Sequence, residues 1–187
     1  MLITEDHLRI IPWKVANVFL QSALGQSFSG LYWFEKFFNV HHPQAILELG
    51  TGPGTLTCLF GMHCPDHVVT CDQHEGPDGL IGEVYRRLGI TYCKQDVMDP
   101  AYAQRAVAQA QEAGRCFIFC DNGNKQAEFA LYAPFLSVGD AIAVHDFGTE
   151  FHLTPEANLI IEHCKLKRWR EDSEGDGSLL AFWIKEE

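Results

Sequence analysis

The sequence lacks the apolar runs and the cysteine spacings that mark several classes of protein. No stretch approaches the roughly 18 consecutive apolar residues that cross a membrane. The first residues lack the basic start and apolar centre of a secretory signal. The seven cysteines include no Cys-x-x-Cys pair, which argues against a zinc site, and their odd number argues against a disulfide framework. These absences predict a cytoplasmic protein with reduced thiols and no membrane association.

Positive charge is also scarce. The chain carries 14 lysines and arginines against 25 acids, for a formal net charge of -11. Proteins that bind nucleic acid depend on clustered lysine and arginine. The basic cluster at residues 165–170 alternates as an exposed strand face would. The sequence therefore disfavours nucleic acid as a partner.

The length and composition are typical of one globular domain. With 187 residues, 47% of them hydrophobic and 21% charged, the chain can bury a sizeable core. We predict a single domain over residues 1–187, with an N-terminal helical segment at 1–43 and an α/β core at 44–187. Aromatic residues crowd the N-terminal helices. Core packing is the first interpretation, and one wall of an acceptor pocket or the interface of a homodimer are the alternatives.

The α/β core begins with an apolar run that ends in three glycines. Ala45–Leu49 predicts a buried parallel strand, and residues 55–62 predict the helix that follows it. Between them, Gly50, Gly52 and Gly54 predict a tight turn, because glycine tolerates positive φ and lets a ligand lie against bare backbone. We call residues 50–54 the glycine corner. Helix-start N–H groups at such a corner point into the crevice where open α/β sheets bind ligands. A purely structural corner is the alternative.

The spacing of the glycines discriminates between ligands. A dinucleotide-binding turn needs the pattern G-x-G-x-x-G, and Thr55 stands where its third glycine would be. An NAD-dependent oxidoreductase is therefore disfavoured. An acid, Glu48, precedes the first glycine by two residues.

After the corner, apolar strands alternate with helices. Strands are predicted at 67–71, 90–93, 116–120 and 141–144, and helices at 80–88, 100–114, 125–136 and 155–164. In the N-terminal segment, helices are predicted at 12–24 and 31–40, separated by a break at 25–30. Residues 166–170 and 179–184 flank a glycine-rich acidic turn and predict a β-hairpin. Together these elements predict a Rossmann-like, doubly wound, mostly parallel seven-stranded sheet with a C-terminal antiparallel hairpin.

Acids follow the predicted strands. Asp72, Asp96, Asp121 and Asp146 each stand just after a strand, and acids in that position face the crevice at the carboxyl edge of the sheet. Asp72 lies about 20 residues beyond the glycine turn, the spacing at which a carboxylate accepts hydrogen bonds from ribose hydroxyls. Solvated loop acids and helix caps are the alternatives.

The string Glu48-Leu-Gly-Thr-Gly-Pro-Gly54 resembles the first motif of class I S-adenosylmethionine (SAM) dependent methyltransferases. Residues 117–125 and 131–146 resemble one branch of that superfamily, the cephalosporin hydroxylase-like and macrocin-type O-methyltransferases. In that branch a strand runs into Asp-Gly-x-His, a helix ends near Tyr-Ala-Pro, and the next strand runs into an acid pair or His-Asp. The segment that starts Gly25-Gln26 is also similar, so the resemblance covers roughly residues 25–146.

The resemblance implies the methyltransferase fold, with the last strand inserted antiparallel, and SAM as the cofactor. The glycine corner and Glu48 would hold the methionine part of SAM, Asp72 the ribose and Asp96 the adenine. The implied cofactor-binding set comprises Glu48, Gly50, Thr51, Gly52, Pro53, Gly54, Asp72, Gln73, Asp96 and Asp121.

The resemblance further implies O-methylation of a small-molecule acceptor, with Asp121, His145 and Asp146 as the catalytic residues. In metal-dependent members the acids after strands 4 and 5 bind Mg²⁺, and Asp121 and Asp146 match those positions. His145 replaces an acid there. It suits Mn²⁺ or Fe²⁺ better than Mg²⁺ as a third ligand, and a general base or a structural histidine are its other interpretations. Asn124 stands where the branch often has histidine.

Two interpretations from the same residues stay open. Lys125 is interpreted as a surface lysine at a helix start, with a second base or an acceptor-orienting cation as the alternative. For the whole chain, a SAM-binding protein that methylates nothing, acting as a sensor or partner subunit, is the alternative to an enzyme.

Overall fold

The computed structural model describes residues 28–169 and 178–187, and strands alternate with helices along them. The strands are β1 (Ala45–Leu49), β2 (Val68–Asp72), β3 (Thr91–Lys94), β4 (Cys116–Cys120), β5 (Ala141–Val144), β6 (Leu166–Arg168) and β7 (Ala181–Lys185). The helices are α1 (Phe28–His41), α2 (Thr55–His63), α3 (Gly79–Leu88), α4 (Pro100–Gln111), α5 (Lys125–Tyr132) and α6 (Pro155–His163), with a 3₁₀ turn at Ala133–Phe135. Within these two ranges no helix has the length and apolar character needed to cross a membrane. The helix predicted at 12–24 lies outside the described residues.

The strands form one seven-stranded sheet in the order β3-β2-β1-β4-β5-β7-β6. The first five strands pair in parallel, and β7 is antiparallel to both β5 and β6. This confirms the predicted doubly wound sheet with its antiparallel end. The strand order reverses between β1 and β4, and ligands bind in the crevice outside the carboxyl ends of the strands at such a switch point.

Two apolar layers cover the sheet. On one face, α1, α2 and α3 pack against alternate strand residues such as Ile46 and Phe117. On the other face, α4, α5 and α6 pack against the intervening residues such as Leu47 and Ile118. This alternation is the period of two that a strand imposes on its side chains. Because each face buries its own set of alternate residues, the register of the strands is fixed. The two layers cover the faces of the sheet and leave its carboxyl edge open between them.

The aromatic residues of α1 mostly belong to the core. Phe34 and Phe37 have no exposed surface and Phe38 is 3% exposed, whereas Tyr32 is 40% exposed. Burying one such phenylalanine stabilises the fold by about 1.5–3 kcal/mol. Core packing, predicted for this group, is therefore confirmed for the three phenylalanines.

Several predicted helix ends are confirmed. The side chain of Asp99 accepts a hydrogen bond from the N–H of Ala101 at 3.0 Å and caps α4, with Pro100 in the first turn. The side chain of Thr154 caps α6 in the same way. Gly89 ends α3 with φ 65°, a left-handed conformation that glycine adopts at low cost.

Three predicted boundaries were wrong. Helix α5 ends at Tyr132 instead of residue 136, because Pro134 has no N–H to continue the helix, and the chain tightens into a 3₁₀ turn. Helix α4 ends at Gln111, before Gly114. Helix α1 already begins at Phe28 and includes Gly30, which was assigned to a break. A glycine costs a helix only about 1 kcal/mol, less than the burial of the α1 phenylalanines returns.

Candidate cofactor and acceptor site

The glycine corner lies at the switch point, between the ends of β2 and β4. The N–H of Gly50 donates to the carbonyl oxygen of Cys71, and the N–H of Asp121 donates to the carbonyl oxygen of Leu49, both at 2.8 Å. Gly50 has φ +98°, and a Cβ added there would lie 2.5 Å from the carbonyl oxygen of Asp121. Only glycine fits this position, because both its backbone conformation and its neighbour exclude a side chain.

Asp72 lies against the glycine corner. Its Oδ2 accepts hydrogen bonds from the N–H groups of Thr51 at 3.2 Å and Gly52 at 3.3 Å. Its Oδ1 accepts one from the N–H of His74 at 3.0 Å. The end of β2 therefore brings its carboxylate against the N–H groups of the glycine corner.

Asp96 and Gln73 meet beside Asp72. The side-chain amide of Gln73 donates to Asp96 Oδ1 at 3.4 Å, and the N–H of Met98 donates to the same oxygen at 2.9 Å. The loops after β2 and β3 are thus joined at the carboxyl edge of the sheet. Asp72 ends β2 and Gln73 follows it, and Gln73 links this strand end to Asp96 beside the glycine corner.

Glu48 lies beneath the corner. It is 1% exposed, and its Oε2 accepts hydrogen bonds from the hydroxyls of Thr57 at 2.5 Å and Thr70 at 2.6 Å. Thr70 has a single hydroxyl hydrogen, so Thr51 donates to Thr70 across 2.7 Å. The sequence predicted that Glu48 holds the methionine part of a ligand. Among the described residues, the hydroxyls of Thr70 and Thr51 link Glu48 to the corner, and its role toward the methionine part stays a prediction.

Burial raises the pKa of Glu48 to about 8, and the hydrogen bonds from Thr57 and Thr70 oppose this only in part. The folded protein therefore keeps a proton that the unfolded chain releases near its ordinary pKa of 4.5. Because the folded state binds this proton more tightly than the unfolded state, the free energy of unfolding falls as pH rises between these two values. The fall is up to about 1.4 kcal/mol per pH unit.

We therefore expect Glu48→Gln to flatten the pH dependence of stability. Between pH 5 and 8, a range that follows from the raised pKa, the free energy of unfolding should fall less in the variant than in the wild type. Urea denaturation at several pH values measures this, with the exposed Glu112→Gln as the control. Parallel profiles for wild type and Glu48→Gln would contradict the raised pKa.

Four charged or ionisable side chains meet after β4 and β5. His145 Nδ1 lies 2.8 Å from Asp121 Oδ1 and 3.5 Å from Asp146 Oδ2. The Nζ of Lys125 lies 3.0 Å from Asp146 Oδ2 and 3.9 Å from Asp121 Oδ1. Asp146 has φ +56°, a conformation uncommon for residues other than glycine and one that clusters at functional sites. The predicted catalytic residues Asp121, His145 and Asp146 therefore come together.

The pKa values in this cluster follow from burial and neighbouring charge. Burial raises the pKa of Asp121, and the hydrogen bond from His145 opposes this. Burial alone would lower the pKa of His145, but the hydrogen bond and charge of Asp121 and the charge of Asp146 outweigh it, so the net direction is upward. The Asp121–His145 pair therefore retains a proton more readily than an isolated histidine does.

Comparison with solved structures identifies the fold. A candidate caffeoyl-CoA O-methyltransferase from Staphylococcus aureus has 12% sequence identity and a TM-score of 0.62, over 96% of this chain and 95% of its own. MycE, a methyltransferase of mycinamycin biosynthesis in complex with Mg and S-adenosylhomocysteine (SAH), has 16% identity and a TM-score of 0.54. CalS11, a TDP-rhamnose 3'-O-methyltransferase, has 16% identity and a TM-score of 0.50 over 83% of this chain and 77% of its own.

This chain has the fold of SAM-dependent methyltransferases. The match to MycE covers 83% of this chain but 48% of the MycE chain, so the present chain spans about half the length of that relative. No family model matches the sequence, and no curated protein matches it. In this methyltransferase fold, the corner, Asp72 and the Asp121–His145 pair all lie at the carboxyl edge of the sheet.

Three side chains at this site carry atoms that can act as ligands of a divalent cation. One ligand atom each from Asp121, His145 and Asp146 lie within 4.8 Å of one another. Oxygen and imidazole ligands suit Mn²⁺ or Fe²⁺. The arrangement does not fit such an ion as it stands, because the ammonium group of Lys125 lies 3.0 Å from one of the same carboxylates.

Two residues of the site were missed or misread from the sequence. Lys125 is not a surface lysine: it is 7% exposed, and its Nζ also contacts Glu150 Oε2 at 2.7 Å. Glu128 is fully buried and accepts hydrogen bonds from the N–H groups of Asn122 and Asn124, which holds the loop after β4. The spacing of four residues between Asp121 and Lys125 was the one available signal, since it keeps the lysine close to the acid that follows β4.

Proposed function

We propose that this protein binds SAM at the glycine corner and transfers its methyl group to a hydroxyl oxygen of a small-molecule acceptor. The observation that carries the proposal is the meeting of Asp72 with the corner at the switch point of the sheet. The Asp121–His145 pair lies at the end of the neighbouring strands. The structural likeness to O-methyltransferases, one of them in complex with SAH, supports the same reading.

The cofactor roles follow the order of the strands. Asp72 would accept hydrogen bonds from the two ribose hydroxyls. Because the carboxylate is charged, these hydrogen bonds would be stronger than hydrogen bonds to a neutral acceptor. Gln73 and Asp96 would meet the adenine. The backbone of the corner, with Thr51 and Pro53 between the glycines, would lie against the methionine part, and Glu48 would hold the corner through Thr70 and Thr51.

When bound, SAM supplies a methyl group on a sulfonium. His145 would take the proton that the acceptor hydroxyl releases as its oxygen forms the new bond to carbon. Asp121 holds Nδ1 of His145 at 2.8 Å, so Nε2 is the nitrogen left for that proton. Asp121 would also stabilise the imidazolium that forms. Most of the rate gain would come from holding the two reactants in line.

The remaining expectations stay predictions. A divalent metal at Asp121, His145 and Asp146 stays a prediction, which the Mg in MycE favours and the ammonium of Lys125 beside Asp146 opposes. A cytoplasmic location is supported by seven free cysteines. A homodimer through the N-terminal helices has less support, since the phenylalanines of α1 are used in this chain's own core.

The test is methyl transfer from SAM that carries tritium in its methyl group to a panel of phenols, sugars and hydroxy acids. We expect His145→Gln to lower turnover by about 10²–10⁴-fold, with SAM affinity close to that of the wild type. His67→Gln, an exposed histidine before β2, is the matched control. Binding of SAM without transfer to any acceptor would instead favour a non-catalytic SAM-binding protein.

A further inference from the structure

The ammonium group of Lys125 is held among three carboxylates. Its Nζ lies 2.7 Å from Glu150 Oε2, 3.0 Å from Asp146 Oδ2 and 3.9 Å from Asp121 Oδ1. Lys125 is 7% exposed. An ammonium removed from water is costly unless charged partners surround it, and these carboxylates meet that requirement.

The position of Lys125 in its helix also indicates that the carboxylates, and not the helix, hold its ammonium group in place. Lys125 is the first residue of α5, where the helix dipole favours negative charge and disfavours a lysine. The side chain of Asn124 caps the helix by accepting from the N–H of Ala127 at 3.1 Å, so α5 does not need the lysine in order to begin. The contacts with Asp146 and Glu150 are therefore what holds the ammonium at this place.

We propose that Lys125 is the resident cation of the acceptor site, and that it takes the place of a divalent metal there. The role of Lys125 toward an acceptor rests on the proposed function, whereas the contacts of its ammonium group do not depend on that function. A metal ion held by Asp121 and Asp146 would lie beside the ammonium, whose Nζ is 3.0 Å from Asp146 Oδ2 and 3.9 Å from Asp121 Oδ1. Two positive charges this close repel one another, so the ammonium weakens metal binding at these carboxylates.

The substrate class follows from the cation. A lysine offers three N–H donors around a compact charge. In the part of the chain that the structure describes, two of them serve Glu150 and Asp146, and the third would turn from Asp121, 3.9 Å away, to one acceptor oxygen. A metal with open positions favours acceptors that chelate through two adjacent oxygens, whereas Lys125 favours an acceptor with a single hydroxyl.

The experiment is an electron paramagnetic resonance titration of Mn²⁺ into the full chain, without SAM or acceptor. We expect the wild type to bind Mn²⁺ weakly and Lys125→Gln to bind it at least about 10-fold more tightly, because the competing charge is gone. Lys125→Gln combined with Asp146→Asn should lose this gain. Lys36→Gln, an exposed lysine on α1, should behave as the wild type.

Two results would overturn the proposal: stoichiometric Mn²⁺ binding by the wild type, or no gain in a folded Lys125→Gln variant. Circular dichroism checks the fold of each variant. If Lys125→Gln does not fold, the wild-type titration decides, since stoichiometric binding there overturns the proposal and weak binding supports it. A separate titration with SAM distinguishes failure of this inference from failure of the proposed function, because Mn²⁺ binding does not depend on SAM.

Discussion

Gly50→Ala is expected to lower the free energy of unfolding by about 4 kcal/mol, the largest effect on stability that we predict. The alanine would have to adopt φ +98°, and its Cβ would lie 2.5 Å from the carbonyl oxygen of Asp121 and 2.7 Å from the backbone N of Asn122. Backbone atoms cannot turn aside as a flexible side chain can. The ends of β1 and β4 would therefore have to separate.

Gly52→Ala is the matched control for this prediction. Gly52 also has a positive φ, of +50°, but nothing lies within 4 Å of a Cβ added there. Its substitution should cost about 1–2 kcal/mol, the strain of a left-handed residue alone. Urea denaturation followed by tryptophan fluorescence measures both variants. Equal losses for the two would show that the corner does not pack against the end of β4.

Asp72→Ala is expected to weaken SAM binding by about 100-fold, the largest effect on ligand affinity that we predict. Two hydrogen bonds to a carboxylate contribute about 3 kcal/mol together, and each 1.4 kcal/mol corresponds to a factor of about ten in Kd. The substitution also removes the carboxylate to which the N–H groups of Thr51 and Gly52 donate in the structure. Isothermal titration with SAM measures the loss.

Two further variants sharpen that experiment. Asp72→Asn keeps the size of the side chain but removes its charge, so its affinity should fall between those of the wild type and Asp72→Ala. Glu112→Ala removes an exposed acid after α4 and should leave the affinity unchanged. Undiminished SAM affinity in Asp72→Ala would contradict the assignment of the ribose site.

Most of the sheet could be predicted from local patterns. The apolar runs of β4 and β5, the helix starts at Asp99 and Thr154 and the helix end at Gly89 each depend on residues close in sequence. The errors arose where distant packing or a single proline decided the outcome. Gly30 looked like a helix break, but the phenylalanines that follow it bind α1 to the sheet.

The sequence predicted which residues lie at the candidate site better than it predicted what those residues contact. Strands of a parallel sheet end at one edge, and this alone brings Asp72, Asp96, Asp121 and Asp146 to the same edge of the sheet. The pattern does not say which way Glu48 faces, and its partners Thr57 and Thr70 come from α2 and β2. Nor does it place Lys125, whose burial depends on Glu150, 25 residues further along the chain.

A crystal structure of the protein with SAH tests the central claim most directly, namely that the glycine corner and the acids at the strand ends form one cofactor site. We expect the ribose hydroxyls to lie within hydrogen-bond distance of the Asp72 carboxylate, the adenine beside Asp96, and the sulfur between the glycine corner and His145. A nucleoside bound at any other place on the molecule, with the corner still closed by Asp72, would contradict the account.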